Sequence, residues 1–158
     1  MTVSAATISA FDSADALRAL VGTQSLVSEW LSVDQDRVNR FAEATGDHQW
    51  IHIDPERAIR ESPFGGPIVH GFLTLSLIPA LLGKTLRIEQ RMGVNYGLNR
   101  VRFMSPVLVG SSLRAKFAVE SVTDVDNNGV QVAWNVTLER QGGDRPVCVA
   151  EFITRHYF

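Results

Sequence analysis

An apolar segment in the middle of the chain, residues 68–82, constrains the fold more than any other feature of the sequence. Thr74 and Ser76 are the hydroxyl residues that interrupt its apolar character. A helix that is apolar on all sides is buried inside a fold. The segment is shorter than the roughly 20 residues needed to span a bilayer, and Pro79 interrupts it. We therefore predict a buried helix here, ended by Gly83, with other elements wrapped around it.

The second half of the chain supplies those elements, because its hydrophobic pattern changes to a period of two after Met92. Such alternation is typical of antiparallel strands with one buried face. The predicted strands include residues 100–103, 113–120, 130–139 and 146–157. The predicted hairpin turns are D-N-N-G at 126–129 and Q-G-G-D at 141–144. The predicted fold class is therefore α+β, an antiparallel sheet wrapped around a long central helix.

Capping signals define the first half of the chain. Asp34 is a typical N-cap and Gly46 a typical C′ glycine, while Asp54 and Pro55 begin a further helix. The predicted elements are a helix at 12–21, a strand at 25–33, a helix at 34–46, a helix at 55–61, a loop at 62–67 and a polar connection at 84–91. Residues 1–158 are expected to form one domain, with residues 1–24 as a peripheral N-terminal helical extension.

Composition excludes several classes of function. Hydrophobic residues make up 45% of the chain, and the formal net charge is only -2, which gives no electrostatic attraction to nucleic acid or anionic membranes. The single cysteine, Cys148, excludes an internal disulfide and indicates a reducing compartment. The first ten residues lack the basic and long apolar regions of a signal peptide. We therefore expect a cytoplasmic globular protein with no nucleic-acid or membrane partner.

Asp47 and His52 are the candidate catalytic residues. They stand five positions apart in the segment T-G-D-H-Q-W-I-H-I-D-P, residues 45–55. A carboxylate and an imidazole are suited to proton transfer near neutral pH. On spacing alone, however, a turn aspartate and an ordinary loop histidine are the more frequent interpretation of such a pair.

Two other histidines invite different interpretations. His48 and His52 are four residues apart, which would suit a metal site on a helix, but no H-E-x-x-H motif is present. Gly46 is also expected to keep this segment non-helical, so we predict no metal site. His70 is expected to pack structurally beside Gly71.

Three motifs occur in order within residues 25–155. Residues 46–52 read G-D-H-Q-W-I-H, residues 67–71 read P-I-V-H-G, and residues 102–110 read R-F-M-S-P-V-L-V-G. Together they resemble the MaoC-like dehydratase family of hot-dog fold proteins, which includes the (R)-specific enoyl-CoA hydratases. Gln49-Trp50 stands where many members have Asn-Pro, and in this the chain is similar to the nodulation protein N-like branch.

The resemblance implies a hydro-lyase that acts on thioesters of CoA or acyl carrier protein and needs no metal or redox cofactor. Asp47 and His52 would hold a water and deliver its oxygen to C3 of a trans-2-enoyl thioester, while a proton reaches C2. The backbone N–H of Gly71 would bind the thioester oxygen. At Pro79 some members place a serine that orients the catalytic aspartate, and Ser76 is the alternative candidate for that role.

Two alternatives remain open. One is a thioesterase on the same fold, which would use a carboxylate but has no need of the paired His52. The other is a non-catalytic acyl-thioester-binding subunit, in which Gln49-Trp50 would mark lost activity.

Arg100 and Arg102 are expected to form a solvated strand face, with contact to CoA phosphates as the alternative. The resemblance also implies a homodimer or a dimer of dimers, because one curled sheet leaves an open edge.

Overall fold

A six-stranded antiparallel sheet packs against the apolar helix in the computed structural model, which describes residues 9–158. The strands are β1 (Ser9–Phe11), β2 (Leu26–Val27), β3 (Leu31–Ser32), β4 (Leu86–Ile88), β5 (Met92–Phe103), β6 (Ser112–Val125), β7 (Gly129–Arg140) and β8 (Pro146–Tyr157). The helices are α1 (Ala14–Arg18), α2 (Gln35–Thr45), α3 (Trp50–Ile53), α4 (Pro55–Glu61), α5 (Gly71–Ser76) and α6 (Ile78–Thr85). The predicted α+β class is therefore confirmed.

The large sheet has the strand order β2-β6-β7-β8-β5, and β3 also pairs with β6. The predicted strands of the second half are present, and each extends beyond its predicted bounds or fills them. Asn127 and Asn128 form the first hairpin turn with φ angles of 63° and 56°, which asparagine tolerates better than most residues. Alternate residues of β7, such as Trp134 and Leu138, are fully buried against the helices.

The prediction of one long helix, buried on all sides and ended by Gly83, is wrong in its start, its continuity, its end and its burial. The helix begins at Gly71 rather than residue 68, and it is divided into α5 and α6. Pro79, the second residue of α6, has no N–H to donate to the preceding turn and its ring crowds that turn, which explains the break at Leu77. Gly83 lies inside α6. Because the sheet covers one side only, Phe72 remains 69% exposed.

The helices of the first half follow their capping signals. Asp34 accepts a hydrogen bond from the N–H of Arg37, and Gly46 ends α2 in the left-handed conformation, with φ 80°. Asp54 caps α4 as predicted. The predicted helix at 12–21 is shorter, α1, with Ser13 as its N-cap. Residues 1–8 of the predicted extension lie outside the described residues.

Two predicted segments differ in detail. The strand expected at 25–33 is split into β2 and β3, because Ser28 between them is buried and its hydroxyl accepts a hydrogen bond from the N–H of Ala115. The connection expected at 84–91 contains the end of α6 and β4, which pairs in parallel with β1. Leu86 is 2% exposed, so this connection contributes to the core despite its polar sequence.

The structure also bears on the single cysteine and on the length of the apolar helices. Cys148 is fully buried, and burial raises the pKa of its thiol to about 11, which makes it unreactive near neutral pH. No helix within residues 9–158 is long and apolar enough to cross a membrane.

A chain of buried hydrogen bonds links the middle of the sheet to the segment before β5. The indole N–H of Trp134 donates to the Thr154 hydroxyl at 2.8 Å, and that hydroxyl donates to His156 Nε2 at 2.7 Å. His156 Nδ1 then donates to the side-chain oxygen of Gln90 at 2.6 Å. Burial lowers the pKa of His156 to about 4, so the ring is neutral at pH 7.

This pKa predicts that stability falls with acid. An unfolded histidine titrates near pH 6.5 and folded His156 near 4, so the unfolded chain binds more protons between these values. This difference contributes about 3 kcal/mol to the free energy of unfolding. The contribution is fully present above pH 6.5 and is lost as the pH falls through 4. The free energies of unfolding of wild type and of His156→Gln should therefore approach each other as the pH falls through this window. Urea unfolding at several pH values measures both.

Thr123→Ser, an exposed change in β6 that removes no titrating group, provides the control and should keep the wild-type pH dependence of stability. A stability difference between wild type and His156→Gln that stays constant from pH 7 to 4 would contradict the buried neutral state of His156.

Candidate active site

Asp47 lies in the turn between α2 and α3. The left-handed Gly46 directs the chain away from the axis of α2, and Asp47 follows it as an exposed residue. Its backbone carbonyl accepts a hydrogen bond from His70 Nε2 at 3.0 Å. Asp47 is thus anchored through its backbone, while its carboxylate remains accessible.

His52 lies in α3, a single helical turn that corrects the prediction of a non-helical segment. Gly46 ends α2 but does not prevent a new turn from forming four residues later. His52 is only 7% exposed, and its Nδ1–H donates to the carbonyl of Ile68 at 2.6 Å. Its own carbonyl accepts a hydrogen bond from the Gln35 amide at 2.7 Å. Since Nδ1 carries the hydrogen, the lone pair of the neutral ring is on Nε2.

The surroundings of His52 lower its pKa. Burial is the main cause, and the neighbouring His70 ring lowers the pKa further. The hydrogen bond to the Ile68 carbonyl and the charge of Asp47 act in the opposite direction and do not compensate. His52 is therefore neutral at pH 7, the form that can accept a proton.

Gln49-Trp50, the pair that departs from the Asn-Pro of the resembled motif, leads directly into α3. Trp50 is the first residue of α3, a position where proline is favoured because its N–H is not needed for the helix. The Arg57 guanidinium lies over the Trp50 ring, 4.3 Å from its centroid, and Arg57 also binds Glu61 at 2.9 Å. The contact between Arg57 and Trp50 attaches α3 to α4.

A linking segment, residues 67–71, joins His52 to the central helix. The N–H of Ile68 donates to the carbonyl of Ile51 at 2.9 Å, and the N–H of Val69 donates to the carbonyl of Val107 at 2.7 Å. The segment is therefore fixed on both sides. It ends at Gly71, the first residue of α5, whose N–H has no acceptor within the helix.

Gly71 packs closely against the Phe103 ring. A Cβ atom at this position would lie 3.1 Å from two ring carbons of Phe103, tighter than normal contact. Beside Gly71 is a cavity of about 330 Å³. Its apolar lining includes Phe64, Ile68, Val69, Phe103, Met104 and Val107. The linking segment therefore has His52 on one side and an apolar cavity on the other.

Asp47, His52 and His70 form a cluster that must be examined as a metal site. Each offers one ligand atom, and these atoms lie within 4.8 Å of one another. The two imidazole rings, however, stack with centroids 3.9 Å apart and an angle of 24° between their planes. Lone pairs in nearly parallel planes do not converge on one ion at about 2.0–2.1 Å. The geometry thus disfavours a metal shared by both rings.

The other predicted site residues lie apart from this cluster. The Ser76 hydroxyl donates to the Phe72 carbonyl at 2.6 Å and is exposed, so it does not orient Asp47. Arg100 has a side chain that is 82% exposed and 3.7 Å from Glu151. Arg102 is also exposed, which agrees with the predicted solvated strand face.

Sequence analysis missed two residues that contact the candidate pair, Asp47 and His52. Gln35, at the start of α2, binds the His52 carbonyl, and no local motif indicates this contact. His70 was expected only to pack beside Gly71, yet it contacts both Asp47 and His52. Its place in the P-I-V-H-G motif was the available signal.

Known proteins share this fold and these motifs. The family model described as "MaoC like domain" matches residues 17–141. The chain is 46% identical over 147 residues to 3-hydroxyacyl-thioester dehydratase Z of Mycobacterium tuberculosis, which covers 92% of this chain and 97% of that protein. It is 48% identical over 136 residues to nodulation protein N of Rhizobium leguminosarum bv. viciae, covering 85% and 84%.

A solved structure gives the same result. The (R)-hydratase from A. caviae involved in PHA biosynthesis is similar with a TM-score of 0.65 and 26% identity, covering 84% of this chain and 95% of that one. This similarity confirms the predicted hot-dog fold. The relatives also confirm the predicted hydratase or dehydratase class, a hydro-lyase. Because the matched region and both relatives span most of its length, the chain belongs to the MaoC-like dehydratase family.

Proposed function

We propose that this protein hydrates trans-2-enoyl thioesters, or dehydrates the (R)-3-hydroxy product in reverse, with Asp47 and His52 as the catalytic pair. One observation carries the assignment: a buried, neutral histidine has a ring nitrogen within 4.8 Å of an exposed carboxylate. The names of the relatives, a 3-hydroxyacyl-thioester dehydratase and an (R)-specific enoyl-CoA hydratase, support the substrate class.

A water held by both side chains is the nucleophile. Asp47 and His52 interact through charge rather than by a direct hydrogen bond. Two hydrogen bonds of about 2.8 Å to one water span such a separation. His52 Nε2 takes a proton from the water as its oxygen bonds to C3, and the double-bond electrons move toward the thioester oxygen. The protonated His52 then gives that proton to C2, so that H and OH have been added across the double bond and His52 is neutral again.

Gly71 is the substrate-binding residue of this scheme. Its N–H has no acceptor within the helix and is available to the thioester oxygen as enolate charge develops. The apolar cavity beside it suits an acyl chain. The scheme uses no metal or redox cofactor. The carrier, CoA or acyl carrier protein, the cytoplasmic location and the single-domain organisation remain predictions.

The catalytic pair is tested by Asp47→Asn and His52→Gln. Each substitution should reduce hydration of crotonyl-CoA by about a hundredfold or more, because each removes a group that acts on the same water. The double variant should be only slightly slower than either single variant, since the two losses do not add. The measurement is the loss of the conjugated double bond, with chiral analysis expected to give the (R)-3-hydroxy thioester.

Three controls make this test decisive. His48→Gln, a change at an exposed neighbouring histidine, should keep the wild-type rate. Release of free thiol by the wild-type protein would instead identify a thioesterase, and no reaction of either kind would identify a binding subunit. Activity losses that follow the melting temperature would show that Asp47 and His52 are structural.

The role of Gly71 is tested by Gly71→Val. The side chain would meet the Phe103 ring and obstruct the approach to the Gly71 N–H, so turnover should fall by about a hundredfold. The fold should persist, because Phe103 is 46% exposed and can move. Gly83→Ala is the matched control, since a Cβ there meets no atom within 4 Å and turnover should not change. Normal turnover in Gly71→Val would remove this role.

We further propose that the protein forms a homodimer through β5. Within residues 9–158, this strand of twelve residues pairs with β8 on one side only and lies at the end of the sheet order. Its exposed apolar side chains are Met92, Val94, Tyr96, Leu98 and Phe103. A long apolar edge strand invites pairing with another strand, and a second copy can supply the same strand by two-fold symmetry.

Light scattering should therefore give twice the mass of the 17.4 kDa chain, or a multiple of that dimer mass if dimers associate further. Leu98→Glu places a charge on the edge and should shift the mass toward that of one chain. Ile59→Glu, on the exposed face of α4, is the matched control and should leave the mass unchanged. A fully active wild-type monomer at micromolar concentration would contradict the dimer.

A further inference from the structure

His70 is buried between the two residues of the catalytic pair, and the proposed reaction assigns it no step. It is 2% exposed, and its Nε2 lies 3.0 Å from the backbone carbonyl of Asp47. Its ring stacks on His52 at 3.9 Å on one side and packs against Phe41 at 5.0 Å. His70 therefore contacts Asp47 through a hydrogen bond and His52 through its ring.

The hydrogen bond determines where the His70 hydrogen lies. A carbonyl can only accept, so Nε2 carries the hydrogen, and in the neutral ring Nδ1 is left as an acceptor. Nδ1 is buried and has no hydrogen-bond partner among residues 9–158. Burying an unpaired acceptor destabilises the folded state, a cost that a phenylalanine of similar shape would avoid. A histidine at this position therefore has to be explained by its other nitrogen.

We propose that His70 is a positioning residue that fixes Asp47 through its backbone carbonyl and His52 through ring stacking. The inference rests on the proposed function of the pair. Asp47 follows a glycine in an exposed turn, and the bond from His70 attaches that turn to the linking segment before α5. Because a misplacement of about 1 Å in a catalytic group can cost about a hundredfold in rate, the attachment has a direct effect on turnover.

Two substitutions separate the two contacts. His70→Phe keeps a ring to stack on His52 but has no donor for the Asp47 carbonyl. His70→Gln places an amide N–H near the position of Nε2 but has no ring. A purely structural role would make the two variants differ in stability alone, whereas a positioning role makes them differ in turnover and pH dependence.

For His70→Phe we expect kcat for crotonyl-CoA to fall about tenfold or more, with KM within about twofold and no loss of melting temperature. His70→Gln should retain more of kcat. It should also move the acid limb of the kcat/KM profile to higher pH, because loss of the covering ring raises the pKa of His52 toward its ordinary value. The groups that face His52 are otherwise unchanged: Asp47 and the Ile68 carbonyl.

A measurement on the wild-type protein is independent of turnover and of the folding of any variant. Nitrogen-15 NMR of the histidine side chains should show His70 with its hydrogen on Nε2 and His52 with its hydrogen on Nδ1. A His70 with its hydrogen on Nδ1 would overturn the proposal, as would a His70→Phe variant with wild-type kcat.

The two levels of inference fail separately. An inactive wild-type protein would defeat the proposed function, while the NMR result would still report the contact with Asp47. An active wild type with equally active His70 variants would defeat the positioning role alone. Losses of kcat that follow melting temperature in both variants, with an unchanged pH profile, would also defeat it.

Discussion

The hydrogen bond from His52 Nδ1 to the Ile68 carbonyl determines the chemistry of this site. It fixes the tautomer of a buried ring and so leaves Nε2 as the nitrogen that can accept a proton. Because the partner is a neutral carbonyl rather than a carboxylate, its effect on the pKa is smaller than that of burial, and His52 remains an uncharged base. The same bond attaches α3 to the linking segment that contains His70 and Gly71.

The half-covered helix connects this site to the open edge of the sheet. Phe103, which packs on Gly71, is also the last residue of the edge strand β5. Phe72, one residue after Gly71, is exposed and packs edge-on against Phe103 with centroids 6.0 Å apart. A second copy that pairs along β5 would therefore cover apolar surface beside the apolar cavity at Gly71. In the proposed dimer, assembly and the shape of the acyl site depend on the same strand.

Local signals in the sequence predicted those elements whose structure is decided locally. Asp34 and Gly46 defined α2 because a cap acts on neighbouring backbone groups, and period-two alternation defined β6 to β8. The helix start at Gly71 and the break before Pro79 could not be read from hydrophobicity, which does not distinguish one helix from two. β4 was missed because its burial comes from pairing with the distant strand β1.

The same distinction applies to the site. Asp47, His52 and Gly71 could be predicted as site residues because motif resemblance carries their positions along the chain. The contact of His70 with the Asp47 carbonyl spans 23 residues and depends on how the linking segment packs against α3. The close contact at Gly71 comes from Phe103, which lies on another element. Such constraints arise from tertiary packing and become visible only with the fold.

The proposed pair also explains why water, rather than a side chain, is the nucleophile. An ionised carboxylate and the Nε2 of a neutral imidazole are both acceptors, so they cannot bond to each other and both require a donor. One water satisfies both with its two hydrogens, which leaves its lone pairs directed away from the pair and toward C3 of the substrate. In the reverse direction the 3-hydroxyl brings only one hydrogen. With Asp47 bonded to that hydrogen, His52 Nε2 is free to take the proton from C2 and to pass it to the departing oxygen, which leaves as water. One arrangement of Asp47 and His52 therefore serves both directions.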